Sequence, residues 1–300
     1  MNLSGIVFKF EEAENRCRRA KKIVLLAREK ASSVVAGAAP SKLKGLGLEY
    51  EDFRNYRYGD DIRFIDWKLS ARMIKPDGEM RLITKEFRSE KRVHVVVVFD
   101  YSKSMGFKDK YLAALYVLTV ISEAARKLED EVSLLLVSHE IKVFTRLDSW
   151  KVPYIVANYI CRNSPRGSLS LNNVSDILSR IGRRKPVVFL TDYANSTSDY
   201  RKFIDFTYVF YSSLAFFIFY TLGEIRAFEE NIALVDPEAE TVFQGDSRKF
   251  STSVRTHILS VKTILKNRAL FLEFSSLNEA VEKTPLIVLN YCLVREKSLK

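Results

Sequence analysis

The 300-residue sequence predicts an α/β fold: a mostly parallel sheet with helices on both faces, plus an N-terminal helix and a small charged β-rich segment. Three observations predict it. Short apolar runs, of which Val93–Phe99 and Pro186–Leu190 are the plainest, read as strands buried on both faces. From Arg92 onward, segments of helical spacing alternate with such runs, the rhythm of a parallel sheet. Over Leu43–Glu90, acidic, basic and aromatic residues are interleaved, a different texture from the rest. The expected organisation is a helix and connector over residues 1–41, the charged segment over 42–91, and the α/β domain with a C-terminal extension over 92–300.

The composition, 47% hydrophobic and 28% charged, is that of a globular chain able to bury a sizeable core. The net charge of +11 favours acidic partners. No nucleic-acid-binding motif accompanies it, so nucleic acid is not the expected partner. Cys17, Cys161 and Cys292 are far apart and form no CxxC pair, so reduced thiols and a cytoplasmic setting are expected. The N-terminus lacks the apolar core of a signal peptide. The longest uncharged run, Phe206–Gly223, falls just short of the ~20 residues of a membrane span and reads as a helix end, a loop and a buried strand.

Taken in order, Phe8–Ser32 lacks Gly and Pro, and its apolar residues recur at helical spacing. Arg16, Arg18, Arg19, Lys21 and Lys22 give that helix a basic face, expected to be solvated. Ser33–Ser41 is a connector. In the charged segment, Glu49, Asp52, Asp60, Asp61 and Asp66 lie among Arg54, Arg57, Arg63, Lys68 and Arg72, an expected ion-pair network around Tyr56, Tyr58, Phe64 and Trp67. Turns are expected at Gly59 and at Pro76–Gly78, with a strand over Met80–Phe87.

In the α/β domain, helices are expected over Lys110–Leu128, Val152–Cys161, Leu171–Ile181 and Thr197–Tyr208. Strands are expected over Val132–Val137, Ile141–Leu147, Pro186–Leu190 and Leu214–Tyr220, the first two joined as a hairpin at His139-Glu140. Asn231–Val235 and Thr241–Gln244 read as short strands. A helix over Ser253–Asn267, a strand over Leu270–Phe274 and a short helix over Leu277–Lys283 follow. Leu286–Leu293 fits either a strand or a helix.

The chemistry concentrates after the most apolar strand. There the chain reads D-Y-S-K-S-M-G, with Asp100, Ser102 and Ser104 at alternate positions. A second carboxylate, Asp192, ends the apolar run in L-T-D. In a parallel sheet both lie at the carboxyl edge, where open α/β sheets place ligands. A carboxylate and two hydroxyls are hard ligands suited to Mg²⁺, Mn²⁺ or Ca²⁺. Two carboxylates gathered there would repel unless a cation lay between them. The alternative is that both merely cap the helices that follow.

Asp100, Ser102 and Ser104 after a Val-rich strand resemble the metal-ion-dependent adhesion site of von Willebrand factor A domains. The preceding stretch, GLGLEYEDFRNYRYGDDIRFIDWKLSAR, closely resembles the hallmark of the domain of unknown function 58 family, which precedes a von Willebrand factor A-like domain. The resemblance implies a Rossmann-like sheet, with Asp100, Ser102 and Ser104 as metal ligands and Asp192 as the late carboxylate. Such sites also use a Thr from an intervening loop. Here R-G-S-L-S-L offers Ser168, or less well Ser170.

The implied function is a divalent-cation-dependent protein-binding module whose partner donates an acidic side chain to the metal. Working with a MoxR-type AAA+ ATPase in complex assembly or chaperone-like activation is implied as well. The GDD/IDW segment has a structural reading, in which Asp61, Arg63 and Asp66 pair internally and Trp67 is an anchor. Its other reading is a docking surface.

Catalysis is not expected. His94, His139 and His257 lack metal-ligand spacing, Ser102 and Ser104 lack an identifiable base, and there is no GxxxxGK phosphate loop. The competing readings are a metal-dependent phosphoesterase or nuclease using Asp100 and Asp192, and a basic nucleic-acid binder. Two-metal hydrolysis generally needs more carboxylates than these two strand ends supply.

Overall fold

Strand β3 (His94–Asp100) lies inside a six-stranded sheet. The computed structural model describes residues 3–38, 50–57, 62, 65–73, 80–87, 92–181, 185–210, 213–221, 232–235, 242–245 and 247–299. By its contacts the chain divides into two compact units, Met1–Val35 with Arg92–Lys300, and Ala36–Lys91.

Helix α1 is Leu3–Ala38, so the stretch from Ser33 expected as a connector is helical as far as Ala38. In the larger unit, β3 leads through a 3₁₀ segment at Ser104–Asp109 into helix α3 (Lys110–Lys127). Strands β4 (Glu131–Val137) and β5 (Ile141–Asp148) form the expected hairpin. Helices α4 (Val152–Arg162) and α5 (Leu171–Ile181) come next, then β6 (Pro186–Thr191), helix α6 (Thr197–Phe210) and β7 (Ser213–Phe219). A separate antiparallel pair, β8 (Ile232–Val235) and β9 (Val242–Gly245), precedes helix α7 (Ser247–Lys266). Strand β10 (Leu270–Phe274) and helices α8 (Leu277–Glu282) and α9 (Thr284–Leu299) complete the unit.

The sheet order is β10-β7-β6-β3-β4-β5, and every pair is parallel except β4 with β5. This is the α/β architecture that the sequence predicts, a mostly parallel sheet with helices on both faces. From β3 the chain winds one way to β4 and β5, then returns to β3's other side for β6. The order therefore reverses between β3 and β6.

The core follows from the pleat. Alternate residues of one strand face opposite layers, so both faces of a central strand must be apolar. On one face Val96, Val98, Val187, Phe189, Phe216 and Ile218 pack with residues of α5, α6 and α7. The other face is covered by α3, α4 and α9, and residues 110–125 of α3 are all buried.

Helix α1 docks through Ala20, Ile23, Val24, Ala27, Ala31 and Val35, while Lys21 and Lys22 remain exposed. Arg28 pairs with the buried Glu123 at 2.8 Å, and Arg16 Nε donates to the Ile160 carbonyl at 2.9 Å. Cys17 and Cys161 form a disulfide across 144 residues of chain. The reduced thiols expected for these two are thus corrected. Sequence spacing is silent about which helices meet in space, and α1 lies against α4. Cys292 is free and buried.

In the smaller unit, β1 (Tyr50–Asn55) pairs antiparallel with β2 (Ile83–Phe87). The one-turn helix α2 (Trp67–Ser70) is capped by Asp66, whose Oδ1 accepts from the Leu69 amide at 3.0 Å. Ser70 Oγ accepts from the Ile83 amide at 2.9 Å, tying α2 to β2. Trp67, expected as an anchor, is 60% exposed. Gly59, Asp60, Asp61, Arg63, Phe64 and the Pro76–Gly78 turn lie outside the described residues. Among the described residues no helix is long and apolar enough to cross a membrane, and within the uncharged run residues 206–210 belong to α6 and residues 213–219 to β7.

Candidate metal centre

Where the strand order reverses, the carboxyl ends of β3 and β6 lie side by side, with Phe99 opposite Leu190 in register. The next residues are Asp100 on β3 and Thr191 on β6, followed by Asp192. A reversal of strand order leaves a crevice at the carboxyl edge, the usual ligand position in this architecture.

Each carboxylate divides its oxygens between a local turn and the cluster. Asp100 Oδ1 accepts from the Ser102 amide at 2.9 Å, and Oδ2 accepts from Thr191 Oγ1 at 2.7 Å. Asp192 Oδ1 accepts from the Ala194 amide at 3.0 Å, and Oδ2 accepts from the Lys110 ammonium at 2.7 Å. The hydroxyls of Ser102 and Ser104 are 3.0 Å apart. The contacts to the Ser102 and Ala194 amides are two-residue turns, not caps of the helices that follow. Tyr200, fully buried, donates its hydroxyl to the Asp192 carbonyl at 2.7 Å.

The structure thus brings together Asp100, Ser102, Ser104 and Asp192, four of the five residues singled out in the sequence. All four are buried, Asp100 to 1% exposure and Ser102 to 0%. Ser168 is exposed in the neighbouring loop, and Ser170 Oγ accepts weakly, at 3.4 Å, from the Asn173 amide at the start of α5. That loop is nevertheless bound to the site. The Gly167 carbonyl accepts from the Lys103 amide at 3.0 Å, and the Tyr101 carbonyl accepts from the Arg166 amide at 3.3 Å. Gly167 has φ of +70°, and a Cβ there would lie 2.6 Å from the His139 Cα.

Sequence reasoning missed two members. Thr191 is the hydroxyl of the L-T-D run, placed beside Asp100 by the β3–β6 register. Lys110 is the other, and it corrects the expectation that the two carboxylates need a foreign cation between them. The chain supplies a positive charge itself. The sequence signal was a lysine opening a helix whose next fifteen residues are all buried.

Burial first, and then the charge of Asp192, push the Asp100 carboxyl up to about 7, against the hydrogen bonds from Thr191 and Ser102. The donor set of two carboxylates and the hydroxyls of Ser102, Ser104 and Thr191 is oxygen throughout. It fits Mg²⁺ or Mn²⁺ in chemistry and offers nothing that selects a soft metal.

Several solved structures resemble the chain in outline. A von Willebrand factor type A protein from Catenulispora acidiphila is 7% identical at a TM-score of 0.39, over 69% of this chain and 44% of that one. BatB from Bacteroides thetaiotaomicron is 14% identical at a TM-score of 0.37, over 66% and 98%. Proximal thread matrix protein 1 of the mussel byssus, in a form with a zinc-occupied MIDAS motif, is 13% identical at 0.37, over 67% and 48%. At such scores the likeness adds nothing to the strand order described above. No curated protein matches the chain in sequence. Residues 52–209, just over half of the chain, match the family described as Protein of unknown function DUF58, and the chain belongs to that family.

Proposed function

We propose that the protein is a divalent-cation-dependent protein-binding module, with Mg²⁺ or Mn²⁺ held by Asp100, Ser102, Ser104 and Asp192. The observation that carries this reading is the convergence of two carboxylates and three hydroxyls at the reversal point of the sheet. When bound, the cation supplies a Lewis-acidic position for an oxygen from a partner's Asp or Glu side chain. Ser168 is the loop hydroxyl nearest in sequence to the Gly167–Lys103 contact, and it joins the ligand set only if its loop closes inward.

The chain's own residues do the rest. Thr191 orients the Asp100 carboxylate, the Ser102 and Ala194 amides fix one oxygen of each carboxylate, and Gly167 ties the two site loops together. The basic surface suits an acidic partner, for which a MoxR-type AAA+ ATPase is the candidate drawn from the family resemblance. The cytoplasmic setting expected from reduced thiols loses that support with the Cys17–Cys161 disulfide.

We propose no catalytic step. Ser102 and Ser104 pair with one another, while His94, His139 and His257 make polar contacts with Ser133, Glu140 and the Tyr193 carbonyl. His94 does lie against a serine, but Ser133 is fully buried on β4, out of a substrate's reach, so these contacts favour binding over nucleophilic attack. The test is a pull-down from nuclease-treated lysate, in Mg²⁺ and in EDTA, with the wild-type chain and with Asp100→Ala. A protein recovered only with Mg²⁺ and only by the wild type is the expected result. Equal recovery in all arms, or cleavage of a phosphomonoester or phosphodiester in Mg²⁺ or Mn²⁺, contradicts the reading.

A further inference from the structure

The side chain of Lys110 is buried against the site, 5% exposed, with its ammonium 2.7 Å from Asp192 Oδ2, itself on a side chain 4% exposed. A lysine rarely sits so deep without a counter-charge. Its place in the helix sharpens the point. Lys110 is the first residue of α3, where the helix dipole presents its positive end and disfavours a cation. The carboxylate cluster is what makes the position tolerable. The turn feeding Lys110 inward has two successive non-glycine residues in left-handed conformation, Lys108 at φ 47° and Asp109 at φ 57°. Arg19 of α1 holds Asp109 at 2.5 Å.

A divalent cation on Asp192 would share its carboxylate with this ammonium. Two positive centres on one buried carboxylate repel strongly where water is excluded. We propose that Lys110 is the resident counter-ion of the site, and that cation uptake displaces its ammonium from Asp192. This rests on the cation-binding reading above and deepens it. The cation-free site is neutralised internally, so the lysine sets how tightly a cation is held. The cation-free and cation-loaded forms then differ in where a positive charge stands beside the partner's docking position.

Two measurements test this. In the wild-type chain, acetylation of Lys110 by an amine-reactive ester is followed by mass spectrometry in EDTA and in saturating Mn²⁺. The expected result is protection in EDTA and several-fold faster labelling with Mn²⁺. In parallel, Mn²⁺ uptake is followed by the electron paramagnetic resonance of free Mn²⁺ for wild type, Lys110→Met, Lys110→Arg and Asp100→Asn, each first checked by thermal melt. Lys110→Met is expected to tighten uptake on the order of tenfold or more, while Lys110→Arg leaves it near wild type. If Asp100→Asn abolishes uptake but Lys110→Met leaves it unchanged or weaker, or if Mn²⁺ binds without altering Lys110 labelling, the lysine's role is overturned and cation binding stands. If neither wild type nor Lys110→Met takes up Mn²⁺, the cation-binding reading falls with it.

Discussion

Lys110 donates to Asp192 at 2.7 Å inside the crevice where β3 and β6 part. The pair joins the helix after one strand to the loop after its neighbour, and it places a fixed positive charge where two carboxylates converge. Asp100, the other carboxylate, has its charge opposed by burial and by Asp192. The cluster therefore tolerates its burial through Lys110 and through a raised Asp100, and each has a measurable consequence.

The Asp100 carboxyl is raised from 3.8 to about 7. Between those values the folded chain keeps a proton that the unfolded chain releases, so stability falls as pH rises through that window. The contribution is fully present below about 4 and is lost above about 7. In metal-free buffer, the melting temperature of Asp100→Asn is expected to exceed that of wild type by on the order of a few degrees at pH 8, with the gap closing toward pH 5. Parallel melting curves across this range contradict the assignment.

Gly167→Ala adds a Cβ at φ +70° that would lie 2.6–2.7 Å from His139 and Ser138 backbone atoms. Relief requires moving the loop whose carbonyl holds the Lys103 amide. The expected cost is about 1–3 kcal/mol in urea unfolding, together with weaker Mn²⁺ uptake. A variant as stable as wild type would show that this loop is not locked.

The Cys17–Cys161 disulfide closes a loop of chain that carries β3, β4, β5 and α3. Cys17→Ser is expected to lose about 2–5 kcal/mol of stability and to become insensitive to reductant, while hydrogen exchange rises along α1. Non-reducing peptide mapping that finds both thiols free contradicts this.

Asp130 accepts from the Val93 amide, the Tyr291 hydroxyl and Arg295 Nε, with side-chain exposures of 0% for Asp130 and 5% for Arg295. The network joins α9 to the residue preceding β3. Arg295→Met removes the counter-charge of a buried carboxylate, and a loss of about 3–5 kcal/mol is expected by denaturant unfolding. A loss within the range of an exposed pair, about 0–1 kcal/mol, would show that the carboxylate is neutral.

The central strands were legible because burial on both faces leaves an apolar run with no other reading. Asp100, Ser102, Ser104 and Asp192 were legible because those runs fix where the sheet's carboxyl edge falls. Strand β1, YEDFRN, was not, since its charged residues hide any alternation. Leu286–Leu293 resolved as helix: Ile287, Val288, Tyr291 and Val294 are buried on one side, and Leu286, Leu289 and Leu293 are exposed on the other. Its apolar residues on both faces erase the period that marks an amphipathic helix. Lys110, Thr191 and the cysteine pair were missed for a common reason. Each acquires its role from a neighbour distant in sequence, and composition and spacing carry no such pairing.

Calorimetric titration of the metal-free chain with Mn²⁺ and Mg²⁺ tests the central claim most directly. The account predicts uptake of one ion per chain by the wild type and none by Asp100→Asn. Absence of uptake by the wild type, or equal uptake by both, contradicts it.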